Sequence, residues 1–318
     1  MNRSTFLGAV ASASAATAVP SQAQAASDVP ISLQTATGTL YGTLTFPPRT
    51  PAPVVLIVAG SGPTDRDGNS SLGVRSDTYK LLAQALEALG IATVRYDKRG
   101  VGASATAMKS ESDLRFDTYV QDAAAWIALL HGDARFSSVT VAGHSEGSLL
   151  GVLALQNASA NGFASLEGAG RPAPAVLREQ FAAQLPAKLY AQADAAITQL
   201  QQGHLVTDAP PELAALLRPS VQPYLISWFK YDPAAEIAKL RVPIAIVQGT
   251  ADVQVGMVDA RALARGAPHA KFVVVDGMNH VLKYAPDTST QAAILHGYDD
   301  PSLPIEPEVV EAIQALSL

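Results

Sequence analysis

The sequence predicts an α/β fold: a mostly parallel central sheet flanked by helices and interrupted once by a helical insertion. Three observations carry this. Val54-Val55-Leu56-Ile57-Val58-Ala59 is a continuous apolar run of strand length, the pattern of a strand covered on both faces. From Asp77 onward strand-like runs alternate with helical periods, the spacing of βαβ units. Between residues 171 and 240 that rhythm stops, and the chain becomes rich in Ala, Gln and Leu, with prolines at 210, 211, 219, 223 and 233.

Taken in order, Ile31–Thr35 and Thr39–Phe46 read as a hairpin turning at Gly38, and Pro47-Pro48-Arg49-Thr50-Pro51 breaks regular structure. The strand Val54–Ala59 follows and ends in the loop Gly60-Ser61-Gly62-Pro63. Asp77–Leu89 has helical spacing, with Leu81, Leu82, Leu86 and Leu89 on one side and Gly90 as its stop. Ile91–Tyr96 reads as a strand, Thr118–Leu130 as a helix, Val139–Ala142 as a strand and Ser148–Gln156 as a helix. Phe163–Glu167, Ile244–Gln248 and Lys271–Val275 complete the strands, with the helical Val258–Ala264 between the last two. Within the insertion, Ala175–Leu185 and Lys188–Gln201 carry helical periods. The predicted organisation is a core over residues 27–170 and 241–318 with the insertion at 171–240, and no internal repeat.

Composition narrows the function. The chain has 318 residues, 48% hydrophobic and 16% charged, which argues against disorder and suits one large domain with an insertion. With 22 Lys+Arg against 28 Asp+Glu and a net charge of −6, it lacks the basic balance of a nucleic-acid binder. The absence of cysteine excludes a disulfide scaffold, thiolate metal sites and a cysteine nucleophile. Arg3, the uncharged Ala-rich stretch Phe6–Val19 and Ala23-Gln24-Ala25 form a signal-peptide pattern with cleavage expected after Ala25. The expectation is therefore a periplasmic or secreted protein, with no stable membrane insertion because the apolar run is shorter than the roughly 20 residues of a spanning helix.

Gly143-His144-Ser145-Glu146-Gly147 matches G-x-S-x-G, and the chemistry explains the spacing. A serine projected from a sharp strand-to-helix turn leaves no room for side chains two residues to either side. The strand before it and the helix after it supply the required context, which makes Ser145 the candidate nucleophile. A base and an orienting acid must follow in the order Ser, Asp/Glu, His. His280 lies in Asp276-Gly277-Met278-Asn279-His280, just past the strand Lys271–Val275, where active sites of open α/β sheets lie. His131, His269, His204 and His296 lack that context, and His144 adjoins the nucleophile, where packing or a backbone hydrogen bond is its expected part. Asp252, directly after the strand Ile244–Gln248, is the candidate acid, and Asp276 competes from the same strand exit as His280.

Four segments, Gly60–Asn69, Tyr96–Ser104, Gly143–Gly147 and Gln248–Val253 paired with Met278-Asn279-His280, together resemble the α/β-hydrolase fold. More narrowly they are similar to the serine aminopeptidase-like branch that also holds monoglyceride lipases, cinnamoyl esterases and bacterial acyl esterases. The resemblance runs from about residue 30 to the end. It implies an oxyanion hole made by the backbone N–H groups of Ser61 and Glu146, and Gly60 and Gly62 would let that backbone approach a substrate. The departure is Ala59-Gly60, where many hydrolases carry His-Gly. Asp97, Arg99 and Ser104 are expected to fix a loop internally. The loop Gly60–Asp65 lacks the third glycine and the lysine of a phosphate cradle, and no metal-ligand cluster or cofactor fingerprint is visible.

The expected function is a secreted serine hydrolase cleaving small carboxylic esters. The first alternative is a serine aminopeptidase or acylpeptide hydrolase acting on short peptides, favoured by the acidic groups Glu146, Asp65 and Asp67 if they attract a substrate amine. The bland reading pairs these three with Arg66, Arg99 or residues of the insertion. A non-catalytic binder on the same scaffold is the third. The insertion is expected to act as a lid, with Leu177, Phe181, Leu185, Leu189, Tyr190, Leu225, Ile226, Trp228 and Phe229 as pocket or lid-core candidates.

Overall fold

An eight-stranded sheet organises the computed structural model, which describes residues 27–287 and 289–318. The expected signal segment lies outside the described residues. The strands are β1 (Ser27–Thr35), β2 (Gly38–Phe46), β3 (Ala52–Val58), β4 (Ala92–Tyr96), β5 (Phe136–His144), β6 (Gly162–Leu166), β7 (Ile244–Gly249) and β8 (Lys271–Val275). Their spatial order is β1-β2-β4-β3-β5-β6-β7-β8. β2 pairs antiparallel with both β1 and β4, and every other neighbouring pair is parallel. The chain leaves β3 toward β4 on one side and returns through β5 on the other, so the crevice beyond the carboxyl ends of β3 and β5 is the switch point where ligands bind in such sheets.

Both faces of the central strands are covered, which explains their continuous apolar runs. On one face α2 (Phe116–His131), α3 (Glu146–Ala154) and α8 (Met257–Gly266) pack on Leu56, Val94, Val141 and Ile246 around the buried Trp126. On the other, α1 (Thr78–Ala88) and α9 (Pro307–Ser317) cover Val55, Ile57, Ala142, Ala164 and Val247. The insertion between β6 and β7 holds α4 (Ala173–Gln184), α5 (Ala187–Gln201), α6 (Gln222–Trp228) and α7 (Pro233–Ile237). It has its own apolar centre around Ile197, Leu200, Leu217 and Leu225. Among the described residues no helix is long and apolar enough to cross a membrane.

Several predicted boundaries move for physical reasons. β5 starts at Phe136 because that ring meets Phe46 edge-on at 6.0 Å and the backbone already pairs with Ala52. Asp77 and Leu89 fall outside α1: Asp77 is left-handed at φ 50° and binds Asn69 through its side chain, and Leu89 is exposed rather than on the apolar stripe. Tyr79 takes the buried place instead, in register with Leu82 and Leu86. Glu167 is not the last strand residue but a left-handed turn at φ 50° immediately after β6.

The loop after β4 is held as expected. The Asp97 carboxylate accepts from the backbone and guanidinium of Arg66 and from Ala103 N–H, the Ser104 hydroxyl accepts from Tyr41 N–H, and Arg99 forms a two-point pair with Asp122 at 2.6 and 3.0 Å. Both side chains of that last pair are buried. Asp122→Ala strands a buried guanidinium and should cost about 3–5 kcal/mol, whereas Lys239→Ala at the exposed Glu236 pair should cost under about 1 kcal/mol. Urea unfolding of the two variants checks the contrast, and equal losses would contradict it.

Candidate active site

Ser145 sits between the last residue of β5 and the first of α3, at φ 54° and ψ −121°, a backbone conformation that surrounding structure must impose. A Cβ on Gly143 would overlap the Gly147 carbonyl, and one on Gly147 would overlap the carbonyl of Val58 in β3. The two glycines therefore let strand, turn and helix pack within one backbone thickness of β3. Ser145 N–H is tied to Leu166 O at 2.8 Å. Because α3 begins at Glu146, that residue's N–H belongs to the first turn and has no intrahelical acceptor. Ser145, Gly60, Ser61 and His280 all line one cavity of about 240 Å³.

His280 Nδ1 lies 2.6 Å from Asp252 Oδ2, and both side chains are buried. The other carboxylate oxygen of Asp252 accepts from Gln254 N–H at 2.7 Å and Val255 N–H at 3.0 Å. Burial alone would raise the Asp252 pKa; the facing imidazole and hydrogen bonds from His280, Glu167 and Val255 outweigh it and hold the group at about 2. Asp252 is thus ionised. The competitor Asp276 is exposed and accepts from the Thr250 hydroxyl at 3.0 Å, shaping the turn. His131, at the end of α2, and His204 and His269 are exposed and stand apart from this group.

Glu167 completes the arrangement and was not singled out by the sequence. It is fully buried, accepts from Gly249 N–H at 2.7 Å and from the Gln248 amide, and hydrogen-bonds Asp252. Burial, then the adjacent Asp252 charge, push its carboxyl well above the ordinary range, so it is neutral and donates its proton to Asp252. Ligand atoms of Glu167, Asp252 and His280 lie within 4.8 Å of one another, a spacing these mutual hydrogen bonds account for. The available sequence signal was a lone acidic residue ending an otherwise apolar strand.

A second chain of hydrogen bonds supports the site. Gly60 N–H donates to the Tyr79 hydroxyl at 3.0 Å, Tyr79 donates to His144 Nδ1 at 2.8 Å, and His144 Nε2–H donates to the backbone carbonyl of His280 at 2.7 Å. The His280 carbonyl can only accept, which assigns the His144 tautomer. Burial, then the neighbouring His280, lower the His144 pKa to about 3, so the ring is a neutral strut. It couples the loop after β3 to the loop bearing His280. His144 makes the backbone bond expected of it; Tyr79 was missed, being read only as part of a helix.

The acidic groups find partners other than those expected. Asp67 binds Arg95 at 2.9 Å, and Asp65 accepts from the N–H groups of Asp67 and Asn69 at 2.9 Å each. Glu146 faces Lys98 at 3.5 Å, with both side chains buried. Lys98 also donates to Gly60 O and lies over the Tyr119 ring at 5.1 Å. Only Glu146 of the three acids borders either cavity near Ser145. Of the apolar candidates in the insertion, Leu225 and Trp228 line the neighbouring cavity, whereas Leu177, Phe181, Leu185, Leu189, Ile226 and Phe229 pack the insertion's own centre.

The chain is similar to known proteins. Residues 71–218 match the family model described as serine aminopeptidase, S33. Esterase EstD of Thermotoga maritima is 26% identical over 257 residues, covering 79% of this chain; the chain spans 60% of that relative's length. Among solved structures, Est1E from Butyrivibrio proteoclasticus superposes with a TM-score of 0.58 at 16% identity, covering 90% of this chain and 98% of its own. An esterase from Thermogutta terrifontis gives 0.53 at 16%, covering 92% and 100%. The fold is that of the α/β hydrolases, and the family model and the curated relative both point to an esterase-like family within it.

The protonated Glu167 has a measurable consequence. An unfolded glutamate ionises near pH 4.3, and the native one holds its proton well above that. Its contribution to stability is therefore complete below about pH 4.3 and is lost as pH rises toward the native pKa, with a slope of up to about 1.4 kcal/mol per pH unit. Glu167→Gln removes this slope, so the melting temperature of the variant relative to wild type should rise by roughly 2–4 °C per pH unit above pH 5. A difference independent of pH in thermal melts would mean that Glu167 is ionised in the native protein.

Proposed function

We propose that the chain is a serine hydrolase that cleaves small carboxylic esters through an acyl-enzyme. The observation carrying this reading is the buried 2.6 Å Asp252–His280 bond at a cavity that is also lined by Ser145 on its strained turn. Ser145 Oγ attacks the ester carbonyl while His280 Nε2 takes the hydroxyl proton, and the Asp252 carboxylate stabilises the imidazolium that forms. The N–H groups of Ser61 and Glu146 hold the oxyanion. The tetrahedral adduct breaks its bond to the alcohol oxygen, which leaves with the His280 proton. Water, deprotonated by His280, then attacks the acyl carbon and releases the acid and free Ser145. The insertion serves as the lid of this site, supported by Leu216, Val221, Leu225 and Trp228 lining the space beside Ser61 and Glu146.

The peptidase alternative drew on three acidic groups as an attractant for an amine. Asp65 and Asp67 are spent on backbone and arginine, and Glu146 faces a lysine, which favours esters. A fluorophosphonate probe should label the wild type and not Ser145→Ala. Ser145→Ala and Asp252→Asn should lower kcat by at least about 10⁴-fold, with p-nitrophenyl acetate hydrolysed in preference to aminoacyl-p-nitroanilides. Folded protein that takes no label would favour the non-catalytic binder, and preference for the anilides would favour the peptidase.

We also propose export to the periplasm or beyond, resting on Arg3, the apolar stretch Phe6–Val19 and Ala23-Gln24-Ala25. Intact-mass measurement of protein recovered outside the cytoplasm should give a chain beginning at Ala26; a full-length mass would contradict cleavage.

A further inference from the structure

We propose that Lys98 is a positioning residue of the oxyanion hole: its ammonium group fixes the Gly60–Ser61 peptide so that the Ser61 N–H faces the developing oxyanion. This rests on the ester-hydrolase reading above.

One planar peptide group carries both atoms concerned. Gly60 O and Ser61 N–H belong to the same trans unit, so they point in opposite directions, and fixing one fixes the other. Lys98 Nζ donates to that oxygen, which turns the Ser61 N–H away from Lys98. Among the described residues that N–H has no acceptor, and Ser61 lines the cavity shared by Ser145 and His280. The preceding peptide is held as well, by Gly60 N–H donating to the Tyr79 hydroxyl at 3.0 Å. Gly60 is thus gripped from α1 on one peptide and from the loop after β4 on the next.

The grip answers a need that the turn itself creates. A Cβ on residue 60 would come within 3.2 Å of the Ser145 Cβ, so the close approach calls for glycine. Glycine leaves the backbone free to rotate, and Gly62 nearby is left-handed at φ 72° with open space around it. A half-turn of the Gly60–Ser61 peptide would replace the N–H by a carbonyl oxygen facing the substrate's negative charge. The bond from Lys98 stands against that half-turn.

Packing alone does not account for a lysine here. Its side chain is 1% exposed and that of Glu146 3%, and burial pulls the Lys98 pKa below its ordinary value against the pull of the facing carboxylate. Apolar side chains of similar volume would fill the place without desolvating two charges. The charge has a use in donation, because a charge-assisted bond to Gly60 O polarises the amide and makes its N–H the stronger donor. Glu146 completes the link. Its backbone N–H is the other proposed oxyanion donor, and its carboxylate faces Lys98 at 3.5 Å and hydrogen-bonds the Tyr224 hydroxyl. The run Glu146–Lys98–Gly60 therefore ties the two donors together.

The test uses Lys98→Met and the double variant Lys98→Met/Glu146→Gln, the second leaving neither charge buried without its partner. Thermal melts identify the folded variants. With p-nitrophenyl acetate, kcat should fall about 10- to 100-fold in both, part of the roughly 10²- to 10³-fold carried by a whole oxyanion donor, while KM stays within about twofold. A trifluoromethyl ketone, which Ser145 converts to a tetrahedral oxyanion, should bind more weakly by the same factor. A Lys98 that only supports the fold would lower the melting temperature and leave kcat and ketone affinity of the folded double variant within about twofold of wild type. That result overturns the positioning role while the esterase reading stands. If folded wild type hydrolyses no ester, both fall.

Discussion

The turn that carries Ser145 leaves no space for a side chain at either of two positions, and the rest of the site is arranged around that constraint. Gly147 lies against the carbonyl of Val58, so α3 starts within contact of β3 rather than a side chain's width away. That approach places the helix's unpaired first N–H group beside the loop after β3, where Gly60 in turn packs 3.2 Å from the Ser145 Cβ, measured from the side chain a larger residue would carry. The proposed oxyanion donors, the proposed nucleophile and the crevice of the switch point thus come from one steric fact about neighbouring parallel strands.

Around this turn the buried ionisable groups are sorted so that few charges are left without an answer. Asp252 is ionised because His280 faces it and several groups donate to it, and Glu167 is neutral because it is buried beside the charged Asp252. His144 is neutral because it is enclosed, and its two ring nitrogens are both used, one by Tyr79 and one by the His280 backbone. The result is a histidine held from two directions, by a carboxylate on its side chain and by a neighbouring imidazole on its carbonyl. Such support from residues behind the reacting groups is how a site keeps its geometry without moving at the moment of reaction.

The insertion contributes differently. Most of its apolar side chains pack with one another, and only a few turn toward the sheet. Those few, with Lys98 and Glu146, line the second cavity. The lining of that cavity comes from α2, α3, α6 and the loops after β3 and β4, which are distant in sequence.

The sequence by itself determined the layered architecture, because period and apolar content are local properties: the βαβ rhythm, the position of the insertion and the G-x-S-x-G turn all follow from neighbours along the chain. It also pointed to His280 and Asp252, since residues just past strand ends in such a sheet collect at one edge. Tertiary structure alone decided which acid faces His280, that Glu167 backs Asp252, that Tyr79 and His144 brace the loops, and that Glu146 meets Lys98 rather than an arginine. It also turned most of the insertion's candidate pocket residues inward to one another. These are long-range pairings, fixed by strand order and by burial, and a pKa or a hydrogen-bond partner set by burial has no signature in the spacing of residues along one chain.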